Sequence, residues 1–230
     1  MPDLFYQILF LIIAYLMGSI PTGYLIGKSK GIDIRTQGSN NIGATNTARI
    51  LGKKYFILVT FLDGLKGFLI VFLFKYNILP FNWCLLSPML YGIASVLGHV
   101  FPIFLKFKGG KAVSTSAGVI FGYAPVICLI GITIFTISYL ITKIVSIGSI
   151  LGASSVLIAS IIISLCTDQL TSCLFTRPNT FYWPINLWFL ISIIIIVIII
   201  FIKHKTNIQR IKNKEEQQFD LTIKKNKKPL

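Results

Sequence analysis

The segment KFKGGK at 106–111, the apolar run AVSTSAGVIFGYAPVICLIGITIFTISYLIT at 112–142, and Lys143 behind it decide the fold. About 20 helical residues cross a bilayer, so this run is too long for one ordinary span. Near its middle stand Gly118, Gly122 and Pro125, residue types that break or turn a helix. Basic residues flank it on both sides, and lysine-rich connections stay in the cytoplasm. If Lys111 and Lys143 lie on one side of the membrane, the run must enter and return as two helices folded back on each other. One long tilted helix, with Lys143 outside, is the alternative.

Outward from this run, further apolar stretches lie at 4–27, 55–76, 85–105, 145–165 and 185–202. The 230 residues are 54% hydrophobic and 13% charged, where a soluble domain carries about a quarter charged residues. The expectation is an all-α integral membrane protein. It is a seven-helix transmembrane bundle with its N-terminus outside, its C-terminus cytoplasmic and one broken helical hairpin. The start, MPDLFYQ, has Asp3 and no early lysine or arginine, so the first stretch is expected to be a retained helix and not a cleaved signal. Residues 1–205 form the membrane domain, and 206–230 a basic cytoplasmic tail.

A net charge of +15 ordinarily suggests nucleic acid. Here all the lysines and arginines except Lys66, Lys75 and Arg177 fall in 28–54, in 106–111, at 143, or from 203 onward. The charge is therefore topology, and no nucleic-acid partner is expected. Asp63 and Lys66, three apart in the second apolar run, are expected to neutralise each other at membrane depth. Of the four cysteines, Cys84, Cys128, Cys166 and Cys173, none forms a CxxC pair. They read as small apolar residues, although Cys166 and Cys173 could pair if their loop faced an oxidising space.

Three polar clusters fall in the segments assigned to the cytoplasmic face. In the first, Gly38, Ser39, Asn40, Asn41, Ile42, Gly43 and Asn46 precede Arg49. Glycines flanking small donors, ahead of a helix start near Ala44, let backbone N–H groups converge on a phosphate. Arg49 can add a bidentate contact. The second joins Gly98-His99 to Lys108-Gly109-Gly110-Lys111 ahead of another helix start. His99 itself reads as a structural histidine. The third gathers Ser146 and Ser149 after Lys143, and His204 with Asn207 on one helical face.

No carboxylate cluster stands beside the Gly-rich loops, so no metal is expected. Gly23 to Ser29 is one residue short of a nucleotide-binding loop, and no G-x-S-x-G elbow occurs. Neither His99 nor His204 is followed by Asp four residues later. Such a cationic, carboxylate-poor site at a membrane suits an anionic, already activated substrate. A membrane transporter of a small anionic solute is the alternative, although a transporter would place polar groups near the midplane.

The chain resembles the bacterial acyl-phosphate:glycerol-3-phosphate acyltransferases, the PlsY family. The resemblance rests on GSIPTG at 18–23, GSNNIGATNTAR at 38–49, LDGLKG at 62–67, GHVFPIFLKFKGGKAVSTSAG at 98–118 and HKTN at 204–207. Asn40 stands where Gly is common, and Ala112 and Ser114 vary a loosely kept stretch. The role of the tail after 212 is left open.

What the resemblance implies is acyl transfer from a fatty acyl phosphate to the 1-hydroxyl of glycerol 3-phosphate, the first committed step of phospholipid synthesis. It implies no cofactor. It makes Ser39, Arg49 and Lys111 catalytic, and Gly38, Asn41, Gly43, Asn46, Gly109, Gly110, Ser149, His204 and Asn207 substrate-binding. The site would face the cytoplasm from the bacterial inner membrane, with a soluble acyl-phosphate-producing enzyme as a partner.

Overall fold

A computed structural model describes residues 2–76, 78, 87–165 and 187–220 of the chain. Cys84, Cys166, Cys173 and the tail beyond 220 lie outside the described residues. Every long regular element among them is an α-helix: α1 (Pro2–Ser19), α2 (Thr22–Ser29), α3 (Ala44–Leu51), α4 (Lys54–Lys75), α5 (Pro88–Val100), α6 (Val113–Tyr123), α7 (Pro125–Thr142), α8 (Val145–Leu165), α9 (Leu187–Lys203) and α10 (Lys205–Lys212). Among the described residues, four helical stretches are long and apolar enough to cross a membrane, six if the bent pairs α1–α2 and α9–α10 each count as one span.

The long run is broken at Ala124, just before Pro125, whose ring cannot donate to the preceding turn. The Cys128 thiol donates to the Ala117 carbonyl at 3.2 Å. In a continuous helix those residues would stand about 16 Å apart, so α7 folds back along α6. At 11 residues, α6 is about half the length a span needs. Lys75, at the end of α4, donates to the Tyr123 carbonyl that this early stop exposes.

A second break separates α1 from α2, which meet at 43°. Pro21 ends the first helix, and the Ile20 carbonyl turns to accept the Thr22 N–H at 3.1 Å. Lys66 Nζ donates to that carbonyl at 3.0 Å and to Asp63 Oδ1 at 2.8 Å. Thr22 Oγ1 donates to the same Asp63 oxygen at 2.8 Å. The pair read from sequence as self-neutralising thus also holds the α1–α2 bend against α4.

Close helix approach does most of the packing, as expected where lipid is as apolar as leucine. A Cβ on Gly118 would meet the Gly64 carbonyl, and one on Gly67 the Thr115 carbonyl, which fixes α6 against α4. Gly18 and Gly98 do the same between α1 and α5, against the Ser95 and Tyr15 carbonyls. Around these contacts the core fills with Val71, Met89, Tyr91, Val96, Ile127, Phe189 and Ile193, all fully buried.

Candidate active site

Two loops, one helix end and the first part of the tail meet at one end of the bundle, around a cavity of about 800 Å³. Three contacts bring the basic segments there together. Arg49 Nη2 donates to the Gln217 carbonyl at 3.1 Å, Lys111 Nζ to Asn207 Oδ1 at 2.5 Å, and Phe219 N–H to the Lys143 carbonyl at 2.8 Å.

The first loop wraps the side chain of Asn46, which is 1% exposed. Asn46 Oδ1 accepts from the Ser39 N–H at 2.8 Å, and Nδ2 donates to the carbonyls of Ile34, Gln37 and Asn41 at 2.9–3.1 Å. Its hydrogen-bonding capacity is spent on the loop, so Asn46 shapes the cradle from within. Gly38 lies outside the cavity lining. Its φ is +61°, and a Cβ there would press into Asn46 Oδ1. Asn40 follows with φ +56°, a conformation asparagine tolerates better than most residues. Asn41 Oδ1 accepts from the Gly43 N–H at 2.9 Å, ordering the entry to α3. Ser39 stays exposed at the rim with no side-chain partner among the described residues.

The second loop is pressed onto the end of α5. Gly110 N–H donates to the His99 carbonyl at 3.1 Å, and a Cβ on Gly110 would strike His99 Nε2. His99 supports the glycines from beneath, with its Nδ1 3.7 Å from Asp63 Oδ1. After them α6 begins with no side-chain cap, so its first N–H groups are available to a ligand. Burial pushes the Lys111 ammonium down to about 8, with Glu216 acting in the opposite direction and Arg210 and Arg49 in the same. Arg49 is lowered mainly by burial too.

On the far wall, His204 Nδ1 lies 2.8 Å from the Ile200 carbonyl. A carbonyl only accepts, so that nitrogen carries the proton and Nε2 is left as an acceptor when the ring is neutral. Ser149 donates back to the Val145 carbonyl at 2.9 Å, which leaves its oxygen to accept. Asn207 Nδ2 donates to Glu216 Oε1 at 2.5 Å and to Ser146 Oγ at 3.0 Å.

Of the residues singled out from sequence, Ser39, Asn41, Gly43, Asn46, Arg49, Gly109, Gly110, Lys111, Ser149, His204 and Asn207 all line this one cavity. Glu216 lines it as well and was missed. It accepts from Ser146 at 2.6 Å as well as from Asn207, so the wall is less carboxylate-poor than the sequence suggests. Nothing local marked it, because its partners lie on α8 and α10. The opposite end of the cavity is apolar, with Phe61, Phe68, Phe121, Ile132, Phe135 and Val156. Phe61, Phe121 and Ile132 are also exposed.

The family model for glycerol-3-phosphate acyltransferases matches residues 8–214. A relative from Enterococcus faecalis, named glycerol-3-phosphate acyltransferase, is 41% identical over 231 residues, covering 96% of each chain. One of the same name from Bacillus subtilis is 41% identical over 210 residues, covering 90% of this chain and 95% of that one. The fold is similar to crystal structures of PlsY, described as an integral membrane glycerol 3-phosphate acyltransferase. Its glycerol 3-phosphate form gives a TM-score of 0.78 at 34% identity, covering 96% of both chains. Its lysophosphatidic acid form gives 0.76 at the same identity, covering 96% of this chain and 97% of that one.

Proposed function

The chain belongs to the glycerol-3-phosphate acyltransferase family, and on that premise we propose that it moves a fatty acyl group from an acyl phosphate to the 1-hydroxyl of glycerol 3-phosphate. The products are lysophosphatidic acid and inorganic phosphate. It is an acyltransferase and a multi-pass bacterial membrane protein. The anion transporter left open by the sequence finds no support among the relatives.

The observation that carries the reading is the continuity of one cavity from a cationic, glycine-rich end to an apolar end. Such a space accepts a phosphate and a fatty chain in line. Arg49 and Lys111 neutralise phosphate, with Ser39, the Gly109–Gly110 backbone and the open start of α6 as further donors. Asn41 and Gly43 order the first loop, Gly38 and Asn46 shape it, and Ser149, His204 and Asn207 hold the glycerol part. His204 Nε2 accepts from a glycerol hydroxyl.

An acyl phosphate is a mixed anhydride. The 1-hydroxyl oxygen attacks the acyl carbon, a C–O ester bond forms, and the acyl–phosphate C–O bond breaks. Phosphate leaves, and a phosphate oxygen takes the hydroxyl proton. The protein's part is to align two anions and offset their repulsion. No cofactor enters this scheme.

The finer topology belongs to the same reading. The chain crosses as seven helices, α1, α4, α5, α6, α7, α8 and α9, with α6 only partway. The N-terminus is outside, and the site and tail are cytoplasmic at the inner membrane. Lys143 beside Phe219 supports this, because it sets the end of the hairpin against the tail. From that face a soluble enzyme can supply acyl phosphate.

The test is an assay of the purified chain offered acyl phosphate, acyl-coenzyme A and acyl carrier protein separately with glycerol 3-phosphate. Turnover with acyl phosphate alone is expected. Turnover only with a thioester donor would overturn the assignment of the donor.

A further inference from the structure

The family model stops at residue 214, and of the five residues that follow, Glu215-Glu216-Gln217-Gln218-Phe219, Glu216 and Gln217 line the cavity. The backbone of this segment is fastened to the end of α7. Phe219 N–H donates to the Lys143 carbonyl, and the Phe219 carbonyl accepts from the Tyr139 hydroxyl, both at 2.8 Å. The Phe219 side chain is 6% exposed. Its ring packs on Phe56 with centroids 5.5 Å apart. Burial of an aromatic residue in a stretch otherwise polar and charged means the segment has a fixed seat.

Arg49 rests on that seat. Its Nη2 donates to the Gln217 carbonyl at 3.1 Å, and its guanidinium carbon stands 5.9 Å from the centre of the Phe219 ring. No ion pair holds Arg49 among the described residues. Without these contacts a long side chain on α3 would sample many rotamers and would have to be ordered each time substrate arrives. One of its five N–H groups is committed to Gln217, and the others remain for a ligand.

We propose that residues 215–219 are a strap that positions Arg49 for the phosphate of the acceptor, with Phe219 as the positioning residue. This rests on the reading that Arg49 contacts that phosphate. The strap acts before binding, by holding the guanidinium where the phosphate will be, so its loss raises the KM for glycerol 3-phosphate and spares the acyl donor.

The experiment is steady-state kinetics on the purified full-length enzyme and its Phe219→Ala, Phe219→Leu, Arg49→Ala and Phe219→Ala/Arg49→Ala variants, varying each substrate in turn. Phe219→Ala is expected to raise the KM for glycerol 3-phosphate about three- to tenfold, the cost of ordering one long side chain, and to leave the KM for acyl phosphate native. Phe219→Leu, which keeps the burial, should recover part of the loss. In the Arg49→Ala background, Phe219→Ala should add nothing further. An equal effect in both backgrounds, or an equal rise in both KM values, marks a general packing role and overturns the strap. A native KM in Phe219→Ala beside a raised one in Arg49→Ala also overturns the strap while leaving the phosphate contact standing. A native KM in Arg49→Ala overturns the contact and the strap together.

Discussion

Asn207 Oδ1 accepts a hydrogen bond from Lys111 Nζ at 2.5 Å, joining residues 96 positions apart in sequence. The same amide donates to Glu216 and Ser146. Its orientation is therefore fixed, with nitrogen toward the carboxylate and oxygen toward the ammonium. A line of contacts runs from the tail, through α10, to the glycine loop.

Removing the middle of that line is predicted to damage catalysis more than folding. Asn207→Ala leaves Lys111 without its acceptor. Loss of a hydrogen bond to a charged group costs about 1.5–3 kcal/mol, or about ten- to a hundredfold in kcat/KM. Lys111→Ala should cost at least as much. Native kcat/KM in folded Asn207→Ala would show that the amide holds nothing the reaction needs.

Activity and stability are predicted to part company above pH 8. Lys111 is lowered from 10.5 to about 8, so it is charged below that pH and neutral above it. The kcat/KM for glycerol 3-phosphate should therefore fall as pH rises through about 8, since this parameter reports the free enzyme. Stability should move the other way. Between pH 8 and 10.5 the unfolded chain binds a proton at this lysine that the native chain does not, and stability then rises with pH. Lys111→Arg, which stays charged, should move the alkaline limb upward. An unmoved limb in an active Lys111→Arg enzyme would assign it to another group.

Labelling from each side of the membrane checks the hairpin. A cysteine replacing Lys143 should react from the cytoplasm, and one replacing Tyr76, at the end of α4, from outside. External labelling at 143 would put the two ends of the hairpin on opposite faces and overturn the proposed topology.

The spans and the break near Pro125 were legible because apolar length and helix-breaking residues are local signals. The bend at Pro21 carried the same kind of signal, yet the continuous apolar reading of 4–27 hid it. Arg49 and Lys111 stood out as basic residues following Gly-rich loops, and His204 and Asn207 as polar residues on one helical face past the last apolar run. Asn46 was legible as part of the Gly-rich loop but not as its clamp, because its three carbonyl partners come from a loop whose path no spacing dictates. Glu216 was illegible for a related reason. Its role depends on the 56° bend between α9 and α10, which turns the start of a tail read only as basic and cytoplasmic back over the bundle.

The contact between α4 and α6 predicts a sharp steric limit. Gly118→Val puts a branched side chain where the Gly64 carbonyl stands. Overpacking of this kind costs about 1–3 kcal/mol and should lower the melting temperature in detergent. It should also lower activity, since Gly64 and Gly118 both line the cavity. An unchanged melting temperature would mean the two helices can separate without penalty.

Metal-free turnover is the last expectation. On the proposed reading Arg49 and Lys111 neutralise charge that a cation would otherwise offset, so a chelator should leave the rate intact. Inactivation by chelator, reversed by magnesium, would require an ion in the cavity.

The order in which the chain is made sets when this site can exist. Arg49 and Lys111 emerge early, but Asn207, Glu216 and Phe219 come after the last membrane helix. At about 5–20 residues per second, Glu216 and Phe219 are added on the order of a second after the last residue of α9. A stalled or prematurely terminated chain would sit in the membrane with its apolar groove formed and its anion site open on one side. A chain cut short before Gln217 is therefore predicted to lack both the carbonyl and the ring on which Arg49 rests.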